Sequence, residues 1–587
     1  KMSGKDGVAA EEPSLFVSEG TGETTAMDRA VLHNPTVIVL IVLVVRCCVG
    51  LHPHSGFREP PGYGEFEMHR KEMEWAVNVP MKDWYLAAGE EPLNPGLCSP
   101  PLGSYMSWLF GSIARYLVPK LVEPGSASIG YEDDDARGYM RATVLVCDIV
   151  LFFLATWCFV IIYYRSNVKV SYAEPDELRD TMGRFLLYSR RATPLQAKKQ
   201  TKRRVTGANR ASSFSSTALS VPVTLVSEVF LIILLQPGLI LIDHGHFHYS
   251  AIYLGLVIWA FVMCLQGHHF FATVAFCLAV NFDQVSLFYA PAVFLFMASG
   301  SMHSASLSSS SRWTTFTVII RITKILLAIC LTFGVLWAPF CFLHGFTNDD
   351  SPSFHMGRCA SSLIQTFNAL ILPIQLPVPL CANIWSVLFG LVGFETIEKV
   401  PFQVVSCICT MLALGPSCID IIRRGRAISV RRLLWGVFNS SLTFFLVFYN
   451  VQAKVALLPL LPAALLCGEV PGPSCWFSVL VVFSLSPLLV YDKLAVPYVV
   501  TTSIFTATNA ICFRGECCFL PLPWVHRGKA DSSLVGIRHG IRMIDFSFYL
   551  KAAALVAISL HFGAFFLPTP WWSPNLWVRL HYIYSCI

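Results

Sequence analysis

Between Gly62 and Trp75 the chain reads GYGEFEMHRKEMEW, which sets two carboxylates two residues apart, Glu65 and Glu67, just ahead of His69 and Arg70. A carboxylate can take the proton of an attacking hydroxyl. Taken alone, such an acidic stretch reads either as a solvated loop or, from its place straight after an apolar run, as part of a site at the membrane face. A second polar knot, DHGHFHYS over 243–250, crowds Asp243, His244, His246 and His248 together at the end of an apolar run. Its alternating histidines admit three readings: a metal site, a polar surface facing a substrate, or residues suited to the membrane interface. No cysteine or carboxylate set stands at a recognised ligand spacing, so no metal site is expected. A third segment, VQAK over 451–454, adds Lys454. Between the first two lies LCSPPLGSY (97–105), whose paired prolines make a rigid turn.

These segments need something to hold them together, and the composition says what. The chain has 587 residues, 54% hydrophobic and only 14% charged, where a soluble domain carries about 25% charged residues. Most of its surface therefore faces something other than water. Apolar runs long enough to cross a bilayer recur along the chain, and about 20 residues suffice for one crossing. The formal net charge of +6 does not point to nucleic acid, because the basic residues sit in two loops between apolar runs. Of the 20 cysteines, many fall inside apolar runs and act as small hydrophobes.

The runs organise as follows. Residues 1–35 are hydrophilic and read as a disordered tail, followed by a first span at 36–51, interrupted by Arg46. A mixed segment, 52–139, is rich in Pro, Gly, Trp and acids, and its stretch 105–118 has the character of a helix lying in the interface. Residues 140–310 hold further spans, a strongly basic loop near 165–220 and the histidine motif, and 311–587 form the remaining bundle. Basic loops stay cytosolic. The tail and the 165–220 loop are thereby cytosolic, and 52–139, 243–250 and 451–454 all fall on the opposite, luminal side. The expectation is an all-α polytopic membrane protein of roughly 11–14 spans with a luminal first loop. Few charges lie mid-span, among them Arg46 and Asp148, and none suggests the ion relay of a transporter.

The residues resemble the eukaryotic dolichyl-phosphate-glucose alpha-1,3-glucosyltransferases of N-glycan precursor assembly. QPGLILIDHGHFHYSAIYLG (236–255) is close to the family's run ending Asp-His-Gly-His-Phe-Gln-Tyr-Asn, and GEFEMHR (64–70) is similar to its Gly-Asp-Phe/Tyr-Glu-x-x-Arg. WYLA (84–87), PPLGSY (100–105), GYEDDDARGYMRATVLVCD (130–148), AFCLAVNFDQVSLFYAPAVF (275–294) and ANIW (382–385) follow in the same order. The glycine of HGHF and the small residues after PPL lean towards the first glucosyltransferase of that pathway rather than the second. In the departures, Glu65 stands where the family has Asp, Cys98 replaces an acid, and Gln452 and Ala453 replace His and Glu.

The resemblance implies a C-type glycosyltransferase fold in the endoplasmic-reticulum membrane, with its active site facing the lumen. It implies an inverting alpha-1,3-glucosyl transfer from dolichyl phosphate glucose to a mannose-capped, dolichyl-diphosphate-linked oligosaccharide. No cofactor and no nucleic acid are called for, and the lipid carriers make the membrane itself a partner. Glu65 is the expected base and Glu67 the alternate. His69, Arg70, Asp243, His244, His246 and Lys454 are the expected contacts to donor phosphate or substrate. Two other readings carry the same motifs: the second alpha-1,3-glucosyltransferase of the pathway, and a degenerate, non-catalytic member.

Overall fold

The computed structural model describes residues 34–60, 63–85, 97, 99–125, 128–171, 223–306, 311–345, 382–386, 388, 399–423, 430–449 and 451–513, with a few positions between 555 and 580. Among the described residues every regular element is helical. The expected tail, most of the 165–220 basic loop and Cys98 lie outside them, as do nearly all of the apolar runs at 361–397, 546–567 and 571–587.

The first helix, α1 (Pro35–Gly50), begins where Asn34 Oδ1 accepts the Thr36 N–H at 3.0 Å and Pro35 supplies a φ suited to a first turn. Two helices fill the segment that reads as a loop in the sequence: α2 (Gly64–Asn78) and α3 (Pro101–Leu117). They pack through small residues. A side chain at Gly111 would lie 2.6 Å from Val77 Cγ2 and 2.7 Å from the Met73 carbonyl, so only glycine allows this approach. The opposite face of α3 exposes Trp108, Leu109, Ile113, Tyr116 and Leu117, the arrangement of a helix resting in an interface.

Next come α4 (Asp134–Cys147), a π turn (Asp148–Phe153) and α5 (Leu154–Ser171), which run on as one long rod. Then follow α6 (Val223–Leu234), α7 (Ser250–Leu265), α8 (His269–Phe282), α9 (Ala290–Ser306), α10 (Ser311–Gly345), α11 (Lys399–Arg423), α12 (Val430–Val447), α13 (Leu457–Leu465), α14 (Pro471–Tyr491) and α15 (Ala495–Cys512). Six stretches among the described residues are long and apolar enough to cross a membrane: Asp134–Tyr164, Leu225–Phe247, Ile319–Phe342, Phe402–Ile422, Pro471–Tyr491 and Ala495–Cys512. Shorter apolar helices, including α1, α7 and α8, stand beside them.

Burial sorts these stretches by role. Leu225–Phe247 is 89% buried and runs through the centre of the bundle, whereas Phe402–Ile422 is only 17% buried. Among the described residues the outer helices turn Leu326, Leu327, Leu331, Val335, Met411 and Leu412 outward, apolar surface that suits a bilayer rather than water. This is a multi-pass membrane protein. The main core cluster gathers Ile38, Phe159, Ile233, Val257, Leu434, Leu458 and Leu485 from seven helices, and a second one, with Phe66, Met73, Ala114, Met140 and Phe247, packs α2 and α3 against the rod and the histidine segment.

Two charges inside that apolar bundle are tied to each other. Arg46 Nε, from α1, donates to Asp148 Oδ2 at 2.6 Å, and Arg46 Nη1 donates to the Leu234 carbonyl at 2.8 Å. Both side chains are fully buried. Neither charge could be left alone in hydrocarbon, so the pair locks α1, the α4–α5 rod and α6 into one register.

Candidate active site

Glu65 stands in the first turn of α2, where the positive end of the helix dipole favours a carboxylate. The turn is anchored from outside. Ser55 Oγ accepts the Glu65 N–H at 2.9 Å, and the Ser55 N–H donates to the His246 carbonyl at 3.1 Å. Gly64 makes this possible: its φ is +64°, and a side chain there would meet the Ser55 backbone at 2.5 Å. The start of α2 is thus fastened directly to the histidine segment.

That segment, Leu241–Phe247, is wound as a wide π turn that ends the central span. Its Asp243 accepts the Ser250 N–H at 3.0 Å and the Ala251 N–H at 2.8 Å, capping α7. Phe247 is held at φ +83°, unusual for a bulky residue, and sits against Phe66, Tyr249 and His69. This forced turn aims the imidazoles of His246 and His248 at α2.

Four groups meet there. Lys454 Nζ donates to Glu65 Oε1 at 2.8 Å and to His248 Nε2 at 3.1 Å. Glu65 Oε2 lies 3.7 Å from His246 Nε2 and 3.8 Å from His248 Nε2, too far for hydrogen bonds, and has no hydrogen-bond partner. His246 Nδ1 is bound to Asp492 Oδ2 at 2.5 Å, and His248 Nδ1 faces Ser250 Oγ at 2.9 Å. Each ring is therefore fixed through one nitrogen and presents the other to Glu65. Burial alone would raise the Glu65 pKa, but the Lys454 charge, aided by the two histidines, holds it well below the usual carboxylate range. Burial and the same ammonium push His248 well below its ordinary value and keep it neutral.

The structure separates the other expected residues from this meeting point. Glu67 grips Arg70 with both oxygens at 2.7 Å, and Arg70 Nη1 also donates to Glu74 at 2.9 Å and to the Leu121 carbonyl at 2.8 Å. Arg70 is fully buried, so Glu67 and Arg70 act as a clamp inside the α2–α3 unit. His244 Nε2 bonds to Asp148 Oδ2 at 2.6 Å, joining the pair beneath the site, and Asp243 is occupied in capping. His69 lies at the edge, one turn after Glu65, with Nδ1 3.5 Å from Glu72 Oε2 and its ring 5.5 Å from that of His248.

The other motifs are mainly structural. In PPLGSY, Ser104 bonds with the Tyr85 hydroxyl at 2.9 Å, and nearby Ser99 Oγ donates to Glu72 at 2.5 Å. In ANIW, Asn383 donates to the Phe445 and Phe448 carbonyls at 2.8 and 2.7 Å, fastening this stretch to the end of α12. Asp492 is the residue sequence reasoning missed. It is a lone acid between two apolar runs, and its only signal is that it would emerge on the same side as Lys454.

Chemically, the arrangement is one ionised carboxylate, one ammonium bound to it, and two oriented imidazoles at the mouth of a membrane bundle. A family model described as "ALG6, ALG8 glycosyltransferase family" matches residues 41–178, 213–351 and 361–587. A protein of Gallus gallus named dolichyl pyrophosphate Man9GlcNAc2 alpha-1,3-glucosyltransferase is 30% identical over 81% of this chain and 78% of its own length. The Saccharomyces cerevisiae protein of the same name is 28% identical over 93% of this chain and 87% of its own. One of Dictyostelium discoideum, named as a probable member, is 27% identical over 92% and 90%.

Proposed function

The chain belongs to the ALG6, ALG8 glycosyltransferase family, and from that premise we propose that it transfers glucose from dolichyl phosphate glucose to a dolichyl-diphosphate-linked Man9GlcNAc2 oligosaccharide. The linkage formed is alpha-1,3, the anomeric centre inverts, and the reaction takes place at the luminal face of the endoplasmic-reticulum membrane. The observation that carries the reading is the pairing of Glu65 with Lys454, beside two imidazoles whose far nitrogens are already bound.

A one-step inversion forms the bond from the acceptor hydroxyl to the anomeric carbon as the bond from that carbon to phosphate breaks. The hydroxyl proton must go to a base, and the departing dolichyl phosphate carries its own charge and needs no acid. Glu65 is that base. Its low pKa keeps it ionised, and Lys454 neutralises it while the site is at rest. An arriving donor phosphate competes for the ammonium. As Lys454 turns to the phosphate, Glu65 loses its partner and becomes a stronger base at the moment it is needed. His246, braced by Asp492, presents Nε2 to the same space and can donate to the phosphate or the sugar. In this scheme Glu67, Arg70, Asp243 and His244 position the site without touching substrate, and no cofactor takes part.

The reading is tested by expressing the chain in a yeast strain lacking its own first glucosyltransferase and profiling the lipid-linked oligosaccharides. The one-glucose species, or products glucosylated further from it, should return with the wild-type chain and vanish with Glu65→Gln. A well-expressed, correctly localised protein that restores no glucose overturns it.

A further inference from the structure

Beside the Glu65–Lys454 pair, the site gathers carboxylate and imidazole lone pairs from three positions. Glu65 and His69 stand one helical turn apart on α2 and face the same way, and His248 comes down on them from the π turn. One ligand atom from each of Glu65, His69 and His248 lies within 4.8 Å of the other two. His69 Nε2 and Glu65 Oε2 are both buried and have no hydrogen-bond partner. His248 Nε2 accepts from Lys454, so it too presents a lone pair.

The far side of the His248 ring is already arranged as in a metal site, and a carboxylate stands near that of His69. A ligating histidine almost always engages a carboxylate, carbonyl or hydroxyl through its other nitrogen, which fixes its tautomer. Here His248 Nδ1 is hydrogen-bonded with Ser250 Oγ at 2.9 Å, while His69 Nδ1 lies at ion-pair distance, 3.5 Å, from Glu72 Oε2. The Lys454 ammonium meanwhile sits against two of the three donors, where the cage already stabilises one positive charge.

We propose that Glu65, His69 and His248 form a binding site for a first-row transition-metal cation of the Zn2+ type, which displaces Lys454 and blocks the base. Two imidazoles and one carboxylate suit Zn2+ and its neighbours and disfavour Mg2+ or Ca2+, which take oxygen ligands. Metal–ligand bonds of about 2.0–2.2 Å place tetrahedral ligand atoms roughly 3.4 Å apart, so three atoms that lie within 4.8 Å of one another must draw together by side-chain rotation. Lys454 leaves on its flexible stem. The consequence is inhibitory, since the metal takes the lone pair that would accept the acceptor proton. The binding itself does not depend on the proposed transfer, so it is read separately from activity. Its signal escaped the sequence because His248 is distant in the chain from Glu65 and His69, and no spacing rule joins them.

The experiment uses the full-length protein in detergent, titrated with Co2+ as a coloured stand-in for Zn2+. One equivalent should give visible d–d bands without sulfur-to-metal charge transfer, and Zn2+ should displace it. The His69→Gln/His248→Gln double variant should lose affinity by at least about tenfold. Lys454→Met, which removes the competing ammonium, should bind more tightly than wild type, and it serves as the second reading if the double variant does not fold. Absence of binding, a thiolate spectrum, affinity unchanged in the double variant, or no gain in Lys454→Met overturns the proposal.

Discussion

At the scale of single residues, the question is why Glu65 and not Glu67 carries the chemistry. Both sit in the first turn of α2, and in sequence they are near equivalents. Glu67, however, spends both oxygens on buried Arg70, while Glu65 keeps Oε2 unpartnered and faces Lys454. Removing Lys454 leaves burial as the main influence on Glu65, so its pKa must rise. Lys454→Met should therefore move the acid limb of the rate–pH profile to higher pH and raise KM for the lipid-phosphate donor. An unmoved acid limb would mean that another group is the titrating base. Arg70 makes the opposite prediction. Arg70→Met strands Glu67 in the interior and should cost about 3–5 kcal/mol of stability, seen as a lower melting temperature. Arg70→Lys should recover little of it, because an ammonium cannot replace the fork that holds Glu67, Glu74 and Leu121. Glu67 and Glu74 flank Arg70 at helical spacing on α2, but the Leu121 carbonyl that completes the clamp comes from beyond α3, and no local spacing encodes it. Asp492 was invisible for a similar reason: one acid at a helix end has no pattern.

At the scale of elements, the site depends on how helix ends are fastened. The α2–α3 contact at Gly111 and the π turn at 241–247 set where Glu65 and the histidines point. Gly111→Val should push α2 away from α3 and lower transfer and thermal stability together, whereas Gly138→Ala, with open space around it, should change neither. Beneath the site, Asp148 holds Arg46 and His244 at 2.6 Å each and so carries the turn on two spans. Asp148→Leu alone leaves Arg46 uncompensated and should abolish stable expression; adding Arg46→Met should restore much of it, because the charge and its partner leave together. Fluorescence-detected size-exclusion profiles of the two variants read this difference. The apolar runs at α11 to α15 were legible because hydropathy alone marks a helix in a membrane. The helical state of 64–78 was not, since its charged, Pro- and Gly-flanked sequence reads as a loop until α3 covers it.

At the scale of the whole molecule, composition carried the reading: too few charges for a water-facing surface, and basic residues gathered in two loops. Among the described residues the structure agrees, with six stretches fit to span a membrane and large apolar side chains exposed along the outer helices. The meeting of Glu65, His246 and Lys454 was foreshadowed by topology, because counting spans places their three segments on one side. The counting could not reveal which polar residues in those segments are spent on structure. Partners decide that, and Arg70, Asp243 and His244 find theirs inside the fold. The most direct test of the account is transfer by purified protein from dolichyl phosphate glucose to lipid-linked Man9GlcNAc2, comparing wild type with Glu65→Gln at saturating substrates. The account predicts an alpha-linked, one-glucose product and a fall in kcat of about 10²–10⁴-fold in the variant. A Glu65→Gln enzyme that turns over within a few-fold of wild type would contradict it.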